Sequence, residues 1–128
     1  AVLVVKRMDQ ITHAAREARR RGGDRWLALT GMLHTLVEGQ SADDFLGEAR
    51  AAVAGHGEVI LATQRATDAL ERVLAAARQE GRLRGDATTL DMRLLFAATH
   101  AARQVEPEQW PRMLELLIDA LDARRNAA

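Results

Sequence analysis

The chain has 128 residues, 48% of them hydrophobic and 28% charged, which is the size and balance of one globular domain and not of a disordered segment. Its 18 basic and 18 acidic residues cancel to a formal net charge of zero, a poor match to a dedicated nucleic-acid module. Cysteine is absent, which excludes a disulfide framework, a thiolate metal site and a Cys nucleophile.

Ala, Leu, Arg and Glu dominate, and these are the strongest helix formers. Residues 1 to about 21 read as an amphipathic helix, because Val4, Met8, Ile11, Ala15 and Ala18 recur at steps of three and four. Arg16, Arg19, Arg20 and Arg21 crowd its last turn, where cations suit the helix dipole, and Gly22 and Gly23 end it. A phosphate contact is the alternative reading of that cluster; a solvated helix end is the simpler one. Asp24 can cap a second helix that runs through Trp26, Leu29, Leu33, Leu36 and Val37 to near Gly39. Ser41 and Asp44 resemble a capping box opening a short third helix with Phe45 and Leu46. A break at Gly55, His56 and Gly57 precedes a long fourth helix, about 58 to 80, with Val59, Ala62, Ala66, Ala69, Val73 and Ala77 on one stripe and Gly81 as its stop. After the loop RLRGDA, Thr88 and Asp91 open a fifth helix to about Gln104. EPEQWP is the entry turn of a sixth, from about Trp110 to Arg124. The expected fold is all-α, with six helices in one domain over residues 1–128.

No apolar run reaches the roughly 18 residues of a membrane span, and there is no signal-peptide layout, so a soluble cytoplasmic protein without a membrane partner is expected. The histidines, His13, His34, His56 and His100, are scattered without metal-ligand spacing, so neither a metal site nor another cofactor is expected. No G-x-S-x-G, P-loop or G-x-G-x-x-G is present, and the single serine, Ser41, stands where a cap belongs. The reading is that the chain is not an enzyme and has no catalytic residues.

The fifth helix is apolar all round through Leu94, Leu95, Phe96, Ala97 and Ala98, and must be covered on two sides. The sixth carries Met113, Leu114, Leu116, Leu117, Ile118, Ala120 and Leu121, a stripe wider than one packing face. Two such helices can pair with their twins as a four-helix bundle across a two-fold axis, giving a homodimer; that both simply fill a central core is the alternative reading. Leu94, Ala98, Ala101, Trp110, Met113, Leu114, Leu117 and Leu121 are the expected interface.

Several stretches resemble the effector-binding domain of TetR-family transcriptional regulators. Residues 24–38, DRWLALTGMLHTLVE, resemble the helix after that domain's first short loop. Residues 70–96, LERVLAAARQEGRLRGDATTLDMRLLF, are similar to its long helix, connector and following capped helix; Ala77, Gly81, Leu83, Arg84 and Asp86 match the A-x-x-x-G-x-[LV]-R-x-D connector. Residues 110–121, WPRMLELLIDAL, resemble the ending of one branch, and AVLVVKRMDQI the helix leaving the DNA-binding headpiece. The order and spacing of these stretches carry the resemblance.

The resemblance implies a transcriptional repressor in which a small-molecule effector, caged by helices one to four and part of the fifth, releases the dimer from operator DNA. Met8, Thr12, Trp26, Thr30, Leu33, Phe45, Val59, Thr63, Thr67, Phe96 and His100 are the candidate cage residues; core packing is the competing reading for each one singly. Trp26, Phe45, Thr63 and Thr67 are expected to bound one mostly apolar cavity. The helix-turn-helix of that family is not in these residues. Because the chain opens in AVLVV with no cap, it reads as part of a longer protein whose missing N-terminal domain would contact operator DNA. The alternative function is a stand-alone helical dimeric adaptor that presents a groove to a partner protein.

Overall fold

A computed structural model of the protein describes residues 2–39 and 57–126. Those residues form five α-helices, α1 (Val2–Arg20), α2 (Arg25–Glu38), α3 (Gly57–Gln79), α4 (Thr89–Val105) and α5 (Trp110–Leu121), with no strand among them. The expected short helix around Phe45 lies outside the described residues.

The helix signals in the sequence act as read. Gly22 and Gly23 take φ values of 72° and 76°, a conformation that costs an L side chain about 1–2 kcal/mol. Asp24 then caps α2, its Oδ1 accepting the Leu27 N–H at 3.0 Å. Thr88 and Asp91 form a reciprocal capping box at the start of α4. Gly81, at φ 84°, ends α3.

The apolar stripes decide the packing. Val4, Met8, Ile11, Ala15 and Ala18 of α1, and Val59, Ala62, Ala66, Ala69, Val73 and Ala77 of α3, are all buried, and these two helices share the largest contact in the fold. The many alanines let their backbones approach closely. They run in the same direction, since Asp9 pairs with Arg65 in their first halves while Ala18 lies beside Val73 and Ala76 further along. Helix α2 runs the other way: the Arg25 N–H at its start donates to Glu80 Oε2, just past the end of α3, at 3.0 Å. Its far end receives two arginines. Arg7 Nη2 donates to the Leu36 carbonyl at 3.2 Å and Arg103 Nη2 to the Val37 carbonyl at 2.9 Å, which supplies cations where the helix dipole is negative.

The sixth predicted helix ends three residues sooner than expected, at Leu121. Asp122 turns extended and pairs antiparallel with Leu83 of the connector. The Arg84 N–H donates to the Leu121 carbonyl at 2.9 Å, and the Ala123 N–H to the Arg82 carbonyl at 2.7 Å. Backbone partners offered by the connector thus replace the next helical bonds. The Asp122 side chain seals this joint. Its Oδ2 accepts from Arg82 Nη2 at 3.1 Å and its Oδ1 from the Arg124 N–H at 2.9 Å, while the Arg82 guanidinium lies 5.3 Å from the centre of the Trp26 ring. Burial by itself would raise this carboxyl. The bonds from Arg82 and Arg124, with the charges of Arg82 and Arg125, outweigh that and hold it below the ordinary value of 3.8.

Candidate functional site

The best-supplied interior region lies where the first half of α1, the end of α2 and the middle of α4 meet. Met8, Thr12, Leu33 and Phe96 are buried there or in the core continuous with it, and His100 is half-buried. The polar member that sequence reading missed is Arg7, only 3% exposed, with its guanidinium 5.9 Å from the centre of the Phe96 ring. A signal was present: Arg7 stands three residues after Val4 and four before Ile11, on the buried stripe itself. Thr99 was missed likewise, three and four residues after Phe96 and Leu95.

The threonine hydroxyls in and near this region donate within their own helices. Thr12 Oγ1 donates to the Met8 carbonyl at 3.1 Å, Thr30 Oγ1 to Leu27 at 3.3 Å, and Thr99 Oγ1 to both Leu95 and Phe96 at 3.0 Å. Their oxygens remain able to accept, so donors for a bound polar group would come from Arg7 and acceptors from these hydroxyls. Val59 and Trp26 are core residues, and Thr30 is half-buried.

The cavity expected between Trp26, Phe45, Thr63 and Thr67 does not have that composition. Phe45 lies outside the described residues, and Thr63 and Thr67 stand on the exposed side of α3. The cause is the antiparallel packing. It places Trp26 beside Arg82, past the end of α3, whereas Thr63 is 17 residues before Glu80, about 25 Å away along a helix rising 1.5 Å per residue. The stripe through Val59, Ala62 and Ala66 was read correctly; the threonines stand beside it but turn outward. Neither the surface cleft between α1 and α3 around Arg16 and Arg72 nor the shallow one by Ala18 and Ala28 is lined by a predicted cage residue. Thr63→Leu is therefore expected to change unfolding free energy by no more than about 0.5 kcal/mol in a denaturant titration, as for an exposed substitution. A loss of 1–3 kcal/mol, the ordinary range for overpacking, would place Thr63 in the interior after all.

The expected interface residues divide. Leu114 and Leu121 are buried within the chain's own fold, so they are core residues and not available to a partner. Trp110, Met113, Leu117 and Ala98 are half-buried; Trp110 and Leu117 pack against the core, and Arg103 stacks on the Trp110 ring at 4.5 Å. Leu94 and Ala101 are exposed. Two residues not predicted join them: Leu90 and Val105 are 56% and 78% exposed. Leu90, Leu94, Ala101 and Val105 fall on one line of α4, opposite buried Met92, Leu95, Phe96 and Thr99. On α5, Leu116 and Ala120 are exposed beside half-buried Met113. The spacing 90, 94, 101, 105 was legible in the sequence as a second stripe.

Among the described residues, no group of three His, Asp or Glu side chains comes together as a metal site, and no helix is long and apolar enough to cross a membrane. Compared with known proteins, the sequence matches no family model, and no curated protein resembles it closely enough to count as a relative.

Proposed function

We propose that the chain is the ligand-sensing and dimerisation domain of a TetR-type transcriptional repressor. The observation that carries this reading is the second apolar stripe of α4, Leu90, Leu94, Ala101 and Val105, lying opposite a face already committed to the core. A helix that is apolar on two sides needs two coverings, and a twin helix across a two-fold axis supplies the second. The order of the capped helices and the Gly81–Asp86 connector, set out above, give the family character. The effector lies in the interior by α1, α2 and α4, near Arg7, Thr12, Phe96 and His100, where one charged group and several hydroxyl oxygens can orient a mainly apolar molecule. Binding there shifts the spacing of two DNA-binding headpieces joined to the starts of the α1 helices.

The absence of cysteine makes the pairing directly testable. Leu94→Cys and Ala101→Cys are expected to give disulfide-linked dimers under mild oxidation, and Leu27→Cys, equally exposed but on α2, is not. Equal crosslinking by Leu27→Cys, or none by the α4 variants, overturns the pairing. The chain itself, with zero formal net charge and no helix-turn-helix pattern in its sequence, is expected to show no salt-dependent binding to duplex DNA at micromolar concentration. A steep loss of affinity with added salt in a fluorescence-anisotropy titration would contradict that.

A further inference from the structure

The packing of α1 on α3 collects arginines that are far apart in the sequence. Arg16, Arg19 and Arg20 of α1 face Arg65 and Arg72 of α3 across a surface cleft of about 380 Å³. Among the described residues, Asp68 is the one acidic side chain lining it, and buried Ala69 contributes a small side chain that leaves room. The neighbouring acids are partly committed. Glu17 is shared between Arg20, at 2.7 Å, and Arg21, at 3.8 Å, and Asp9 takes Arg65 at 3.4 Å. Among the described residues, the side chains of Arg16, Arg19 and Arg72 make no ion pair.

We propose that this cleft binds the phosphate or diphosphate end of a small molecule. Like charges brought together by packing repel unless a counter-charge joins them; with Arg20 and Arg65 paired to Glu17 and Asp9, the guanidiniums of Arg16, Arg19 and Arg72 against Asp68 still leave a positive excess. Guanidinium forks match tetrahedral phosphate oxygens bidentately, and they approach here from two helices, so one anion can be held from both sides. A single carboxylate would occupy only one fork. Among the described residues no aromatic side chain lines the cleft, so these offer nothing for a base to stack on, and the phosphate end is the part recognised. Duplex DNA fits less well, because its backbone needs an extended basic track, whereas Asp68 lies within this cluster and Asp9 and Glu17 border it. This site lies on the surface and does not depend on the family reading given above.

The test is calorimetric titration of inorganic pyrophosphate into the 128-residue chain at about 150 mM salt, where long-range charge effects are screened. One-to-one binding is expected, weakened at least tenfold in the double variant Arg16→Gln, Arg72→Gln, and unchanged in Arg93→Gln, an exposed arginine of α4. Circular dichroism melts check that each variant folds; a misfolded double variant is replaced by the single variants, each expected to weaken binding threefold or more. Absence of binding, or equal weakening by Arg93→Gln, overturns the proposal. So does tighter binding of a short DNA duplex, or of phosphatidylglycerol vesicles, that is lost in the Arg16, Arg72 variant and not displaced by pyrophosphate.

Discussion

Asp122→Ala is expected to lower the unfolding free energy by about 3 kcal/mol, the scale found when one partner of a buried ion pair is removed. Asp122 is 2% exposed and its carboxylate holds the Arg82 guanidinium and the Arg124 N–H, at the point where the backbone of its neighbours Leu121 and Ala123 bonds to the connector. Its loss leaves Arg82, which is partly exposed, without its anion, and loosens the contact of that guanidinium with Trp26. A domain of this size should melt roughly 10 °C lower for such a change. The pH dependence identifies the charge as the cause. The folded-state carboxyl titrates below its ordinary value of 3.8, so its stabilising contribution is present above that value and lost as pH falls through the lower folded one. The difference between wild type and Asp122→Asn should therefore be full at pH 6 and shrink as the pH falls below 3.8. A difference that stays constant across that range would assign the effect to shape and hydrogen bonding alone.

Leu94→Glu is expected to leave the helix content and core intact and to weaken self-association by about a thousandfold. The estimate rests on the two-fold pairing proposed above. Leu94 is 59% exposed in the single subunit, so a carboxylate there remains solvated and the fold tolerates it. In the pair, each subunit would lose the burial of a leucine, about 2 kcal/mol, and the two losses together correspond to roughly three decades in Kd. Sedimentation equilibrium reads the result. A variant that associates as tightly as wild type would place the contact elsewhere. Leu117→Glu is a less selective probe, because Leu117 is half-buried against the subunit's own core, and the carboxylate would disturb fold and interface together.

Among the described residues, the sequence by itself determined which segments are helical and, for α1 and α3, which face is buried. Local rules suffice for that: Asp24 and Thr88 satisfy the first N–H groups of their helices, Gly81 supplies the left-handed turn, and apolar residues at three- and four-residue steps line one side of a cylinder. The stripes of α1 and α3 follow at every residue named. What the tertiary structure decided was direction and register. The opposed runs of α2 and α3 carry Trp26 to one end of the helix pair and leave Thr63 towards the other, and helical periodicity carries no information about how two helices lie against each other. Helix α5 ends at Leu121 because the connector offers backbone partners to Leu121 and Ala123, and to the Asp122 side chain an arginine from 40 residues away. The five-arginine cleft has the same origin: Arg16 and Arg72 are 56 positions apart in the chain, and only the parallel packing of α1 on α3 makes them neighbours.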